Sequence, residues 1–164
     1  MGLPSGYTTV VVYGFRGTQQ LFERTDGQDL RLKYGHVGLS IDQGQKIYGF
    51  NPSFEEGISL KEIREILISG IPSRGKVTDD TVVFELARNN GAEVREHYYH
   101  LDENSFSKLT IQLFYDRDHS PLSDKQYSFP SGFSTGSLNC ATYLTTLDIK
   151  TPYPSGILKD YFPQ

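Results

Sequence analysis

A β-hairpin in the first third of the chain constrains the fold most, because its register can be deduced from its residues. Apolar and polar residues alternate over His36–Ile41, so that Val37 and Leu39 share one face and His36 lies on the other. Asp42–Gln45 has the composition of a tight turn, and Lys46–Phe50 is predicted to form the return strand. The chain is therefore expected to contain antiparallel sheet.

The register of this hairpin predicts which side chains meet. A two-residue turn at Gln43-Gly44 pairs Leu39 with Tyr48 and places the apolar residues of both strands on one face. The same register places His36 opposite Asn51, whereas a shift by one residue mixes the two faces. Directly opposed residues lie about 5 Å apart, so the Asn51 amide is predicted to hydrogen-bond the imidazole.

The chain has one cysteine, Cys140, at the point where a polar loop changes to an apolar helical pattern. We predict a helix over Asn139–Leu147 with Ser137 or Asn139 as its N-cap. A helix N-terminus favours a thiolate, and the N–H of Cys140 is a suitable oxyanion donor because first-turn N–H groups lack helical partners. A lone cysteine is otherwise most often a small buried hydrophobic residue.

Together, Cys140, His36 and Asn51 have the residue types of a nucleophile, a base and a group that orients the base. Gly35 and Gly38 flank the histidine, which is typical of a place where a backbone or a substrate approaches closely. The alternative is structural: His36 is a satisfied sheet residue, and Asn51 precedes a turn proline.

Two motifs resemble those of a known superfamily. Gly35–Ile41 followed by Ile47–Phe50, and then Asn139–Leu144, resemble the circularly permuted branch of the papain-like, NlpC-type cysteine enzymes. In that branch the histidine hairpin precedes a helix that opens with Asn-Cys. The resemblance implies an α+β fold, with a small, mainly antiparallel sheet packed against the nucleophile-bearing helix. About half of the chain is unmatched, notably Phe15–Lys33 and Phe54–Lys125.

The resemblance also implies acyl-group chemistry. Relatives include peptidases and amidases of cell walls, isopeptidases, acyltransferases that act on lipids, and delivered effectors. We predict a cysteine hydrolase that cleaves an amide or isopeptide bond through a thioester, with Cys140, His36 and Asn51 as catalytic residues. Its expected partner is a peptide, isopeptide or peptidoglycan-like substrate. The alternatives are an acyltransferase of the same superfamily and an inactive binding module of this fold.

Composition and charge narrow the classes of protein to which the chain can belong. The 164 residues fit one domain, 1–164, and a net charge of −4 argues against a nucleic-acid partner. No apolar run reaches the roughly 18 residues of a membrane span. Met1–Gly6 lacks signal-peptide character, which favours the cytoplasm of the producing cell and leaves delivery elsewhere open. With one cysteine and no closed ligand set, we predict no metal and no cofactor. The oligomeric state is left open.

Local patterns predict further elements, which lie on both sides of the hairpin. A Ser-x-x-Glu capping box precedes one predicted helix, and an Asp or Asn cap precedes another. These elements are a strand at Tyr7–Tyr13, a short helix near Gln19–Arg24, a helix at about Leu60–Ile68, strands at Thr81–Ala87 and Glu93–Leu101, a helix that carries Phe106 to Phe114 after Asp102 or Asn104, and a solvated charged loop at Asp116–Lys125.

Overall fold

The computed structural model of the protein describes residues 6–16, 35–69, 71–128 and 138–150. Nine helices and strands and one 3-10 helix are described within these ranges. In chain order they are β1 (Tyr7–Arg16), β2 (Gly35–Ser40), β3 (Tyr48–Pro52), α1 (Leu60–Ile68), β4 (Ser73–Asp79), α2 (Thr81–Asn89), β5 (Val94–Asp102), α3 (Glu103–Asp118), β6 (Leu122–Tyr127) and a 3-10 helix (Thr142–Leu147). The short helix predicted near Gln19–Arg24 lies outside the described residues.

A six-stranded antiparallel sheet forms the centre of the fold, with the order β5-β1-β2-β3-β4-β6. One face packs on α3 and the 3-10 helix, through residues such as Leu109 and Leu144. The other face packs on α2, through Val83, Phe84 and Ala87. The predicted α+β class with a mainly antiparallel sheet is confirmed. Among the described residues, no helix combines the length and the apolar character needed to cross a membrane.

The β2–β3 hairpin has the predicted turn and register. Gln43 and Gly44 have φ values of 61° and 88°, as a two-residue turn of the type that matches strand twist requires. The Ser40 hydroxyl accepts the Gly44 N–H at 2.7 Å and anchors the turn. Leu39 pairs with Tyr48, so the predicted alignment of the two strands is confirmed at this pair.

Helix α1 spans the predicted residues, and the predicted Ser59 caps its first turn. The Ser59 hydroxyl accepts the Glu62 N–H at 3.2 Å and donates to the Glu62 carboxylate at 3.1 Å. Asp102 caps α3 by accepting the Ser105 N–H at 2.7 Å. Local capping signals therefore predicted these helix starts correctly.

Two predicted segments are wrong. Thr81–Ala87 was expected to be a strand because it is rich in β-branched and aromatic residues, but it begins α2. Burial explains the difference, since Val83, Phe84 and Ala87 lie on the buried face whereas Val82 is 56% exposed. The charged loop predicted over Asp116–Lys125 is instead the end of α3, a short turn and most of β6. The carboxylate of Asp116, the first residue of this segment, is buried rather than solvated.

The cysteine segment, residues 139–147, also has a tighter helical turn than predicted. Asn139 is the cap, because its Oδ1 accepts the N–H groups of Ala141 and Thr142, each at 2.9 Å. The helix that follows is a 3-10 helix rather than an α-helix. The Thr145 hydroxyl donates to the carbonyl oxygen of Thr142, three residues earlier, at 2.6 Å. Such side-chain bonds compete with α-helical hydrogen bonding and favour the tighter turn.

Candidate active site

His36 lies deep in the sheet. It is the second residue of β2 and pairs with Phe15 of β1. Only 2% of its surface is exposed, and its ring packs beside Phe84 of α2 with 5.7 Å between centroids. A polar ring in such surroundings needs hydrogen-bond partners, because an unpaired buried polar group is costly.

Asp80 is the first partner of the imidazole, and it is not among the site residues predicted from the sequence. Its Oδ2 lies 2.6 Å from His36 Nε2, and the side chains of both residues are 2% exposed. Because a carboxylate only accepts, the Nε2–H donates. Asp80 stands between β4 and α2, so the sheet and the helix together fix its position. The sequence Asp79-Asp80-Thr81 is typical of a helix start and was the available signal.

Asn51 meets the same carboxylate. Its Nδ2 donates to Asp80 Oδ2 at 2.9 Å and to the Thr78 hydroxyl at 2.8 Å. Thr78 in turn donates to Asp80 Oδ1 at 2.6 Å. The structure thus places Asp80 in the position that we predicted for Asn51. Asn51 and Thr78 hold the carboxylate that contacts the histidine.

Cys140 lies near enough to the imidazole of His36 for its side chain to raise the pKa of that ring, through hydrogen bonding and charge. Cys140 is 6% exposed, compared with 2% for His36 and for Asp80. All three residues are therefore buried, with Cys140 the most exposed of them.

The surroundings of His36 favour the imidazolium form. Burial lowers the pKa of His36, but the hydrogen bonds and charges of Asp80 and Cys140 outweigh burial and raise the pKa from 6.5 to about 9. A proton is therefore held in the site near neutral pH.

We expect the stability of the protein to decrease as the pH rises. The pKa of His36 is 6.5 in an unfolded chain and about 9 in the native site. The stabilisation from this proton is complete below the lower value and is lost as the pH passes the higher one. Urea unfolding of wild type and of His36→Gln is measured at several pH values across this window. The free energy of unfolding of wild type should decrease with rising pH, and that of the variant should lack this decrease. Equal slopes in both proteins would contradict the assignment, and the exposed His119→Gln is the control.

Glycine at position 49 makes the His36–Asp80 contact possible. A Cβ at Gly49 would overlap Asp80 Oδ2 and would lie 2.5 Å from His36 Nε2. Neither neighbour can withdraw without breaking the hydrogen bond between them. The described residues contain no group of three or more His, Cys, Asp and Glu that could hold a metal ion.

Comparison of the chain with protein-family models, with curated proteins and with solved structures finds no match in any of the three.

Proposed function

We propose that this protein is a cysteine hydrolase that cleaves an amide or isopeptide bond through a thioester on Cys140. The observation that carries the proposal is the buried imidazole of His36, which hydrogen-bonds the Asp80 carboxylate at 2.6 Å and whose pKa is raised by both Asp80 and the nearby Cys140 thiol. This order of groups matches a base that a third group orients toward a nucleophile. Asn51 takes the role of holding Asp80.

The order of these residues along the chain supports a permuted papain-like domain. His36 is on the hairpin, Asp80 follows β4, and Cys140 comes last, immediately before the 3-10 helix. This is the order expected from the resemblance of the hairpin and cysteine motifs to the permuted NlpC-type enzymes. We propose this fold assignment together with the activity, and peptide, isopeptide or peptidoglycan-like molecules as the substrate class.

In the proposed reaction, the Cys140 thiolate attacks the carbonyl carbon and the carbonyl oxygen takes the negative charge. His36 gives its proton to the leaving amine, and the C–N bond breaks to leave a thioester on Cys140. The neutral His36 then takes a proton from water, which attacks the thioester and releases a carboxylic acid. His36 returns the proton to the sulfur, or keeps it as the partner of the thiolate.

The oxyanion is proposed to bind the backbone N–H of Cys140. The two residues after Cys140 have N–H groups that are already bonded. Those of Ala141 and Thr142 each donate to Asn139 Oδ1 at 2.9 Å. The Cys140 N–H lies in the same turn and next to the attacking sulfur. This geometry leaves the nucleophile's own amide as the donor of choice.

Alkylation by iodoacetamide tests the thiolate–imidazolium pair. An ordinary thiol is only about 3% thiolate at neutral pH, so a fully ionised thiol can react up to about 30-fold faster. We expect His36→Ala to slow alkylation of Cys140 by about 10- to 30-fold near pH 7. The rate is followed by mass spectrometry of the intact protein.

The exposed His119→Ala is the matched control and should alkylate at the wild-type rate. If wild type and His36→Ala both react like free cysteine, the proposed nucleophile is wrong. Incubation with acyl donors, with and without an added amine, then distinguishes hydrolysis from acyl transfer by the products.

A further inference from the structure

The structure buries a second carboxylate besides that of Asp80. Asp116 is fully buried near the end of α3. Its oxygens accept hydrogen bonds from the Tyr143 hydroxyl at 2.7 Å, from Gln112 Nε2 at 2.9 Å and from Lys125 Nζ at 2.9 Å. These four residues, which we call the Asp116 cluster, join α3, β6 and the 3-10 helix.

Stability alone is a weak explanation for this cluster. Burying a charged pair costs desolvation energy, and apolar residues of similar size often stabilise a core equally well or better. The cluster is surrounded by apolar residues of the same core, including Leu109 and Leu113. What a buried hydrogen-bonded charge does provide is a fixed geometry, because any displacement leaves a polar group without its partner.

Tyr143 connects this cluster to the candidate active site. It is the second residue of the 3-10 helix and lies three residues after Cys140, and its N–H donates to the carbonyl oxygen of Asn139 at 3.0 Å. Its ring stacks on Phe50 with centroids 4.6 Å apart and planes 1° from parallel. Phe50 lies between Gly49 and Asn51 on β3. Asn51 donates a hydrogen bond to the Asp80 carboxylate, and Gly49 leaves room for that carboxylate.

Tyr143 thus has two attachments with different partners. The ring contacts the strand that carries Asn51, and the hydroxyl contacts Asp116. Burial and the neighbouring Asp116 raise the pKa of Tyr143, so the phenol stays a neutral donor. The stacked ring joins the segment after Cys140 to β3, and the hydroxyl joins it to α3.

We infer that Tyr143 and Asp116 are positioning residues that hold the Cys140 sulfur against His36. This inference rests on the proposed function, since it concerns the geometry of the same nucleophile. Neither residue touches the substrate in this scheme. Loss of the Tyr143–Asp116 hydrogen bond would let the cysteine segment rotate and would weaken the interaction of the thiol with the imidazole.

The pH dependence of alkylation tests this inference. For an ordinary thiol the iodoacetamide rate rises about 75-fold between pH 6 and pH 8, whereas for a thiolate held by imidazolium it rises only a few-fold. We expect Tyr143→Phe, which keeps the ring, to alkylate about 10-fold more slowly than wild type at pH 6 and to show a steeper rise. Gln112→Leu, which removes one bond to Asp116, should shift the profile in the same direction by a smaller amount.

Thr145→Ala is the control, because it removes a hydrogen bond of the same 3-10 helix that does not involve Asp116. It should keep the wild-type profile even where its melting temperature falls as far as that of Tyr143→Phe. If Tyr143→Phe and Gln112→Leu both keep the wild-type profile, this inference is wrong and the proposed function stands. If wild type itself rises like an ordinary thiol, the proposed function fails and the inference fails with it.

Discussion

The Asp80→Asn variant is expected to form an acyl-enzyme on Cys140 and then to hydrolyse it about 10²- to 10⁴-fold more slowly than wild type. Hydrolysis of the thioester requires neutral His36 to take a proton from water, which makes an imidazolium beside Asp80. The carboxylate at 2.6 Å stabilises that charge and orients the ring, and a neutral amide does so far less well. With p-nitrophenyl acetate, the variant should release one equivalent of nitrophenolate and then almost stop. Mass spectrometry should find the acetyl group on Cys140.

Asp79→Asn is the matched control for this experiment. It removes the same charge from the adjacent residue, whose carboxylate accepts the Thr81 N–H at 3.1 Å and can be replaced there by an amide oxygen. Its turnover should stay within a few-fold of wild type. Wild-type turnover by Asp80→Asn would show that the carboxylate does not assist His36, and the proposed roles would then be wrong.

The hairpin could be predicted from sequence because its signals are local. The alternation of residues 36–41 and the turn at Gln43-Gly44 determine which strand faces pair, and the structure has the pair Leu39–Tyr48 that they predict. The capped helix starts were predictable for the same reason, since a cap involves residues only three positions apart.

Asp80 could not be recognised because the segment after it was assigned to the wrong element. Thr81–Ala87 has β-branched and aromatic residues, which favour a strand when taken alone. Packing of Val83 and Phe84 on the sheet makes it a helix, so tertiary contacts override the local preference. Only this helix start, together with the end of β4, brings the carboxylate to His36.

The Asp116 cluster could not be predicted because two of its residues, Asp116 and Lys125, lie in a charged stretch of the sequence. A run of charged residues usually indicates a solvated loop, and residues 116–125 were interpreted in that way. The carboxylate of Asp116 is instead buried, and it accepts a hydrogen bond from Lys125, which lies nine residues later in the next strand. The distance between Lys125 and Asp116 depends on where α3 ends and β6 begins, and no local pattern in the sequence specifies those boundaries.

The Gly49→Ala variant is expected to lose most of its catalytic function. A methyl group at position 49 would overlap Asp80 Oδ2 and crowd His36 Nε2, so the two side chains would have to separate. We expect the rate of thioester hydrolysis to fall by at least about 10²-fold, and the free energy of unfolding to fall by about 1–3 kcal/mol because the site is overpacked. Nitrophenolate release and urea unfolding measure the two effects in the same preparation.

Gly38→Ala separates the loss of the hydrogen bond from the cost of overpacking. Gly38 lies on the neighbouring strand, and a Cβ there would lie 2.6 Å from Ile47 Cγ2 and 3.0 Å from both Phe84 Cε2 and the carbonyl oxygen of Tyr48, none of which belongs to the His36–Asp80 pair. This variant should lose about as much stability, roughly 1–3 kcal/mol, and yet hydrolyse the thioester within a few-fold of wild type. If both variants lose activity in proportion to stability, crowding alone explains the effect of Gly49→Ala. If only Gly49→Ala loses activity, glycine is needed at position 49 because His36 and Asp80 must meet there.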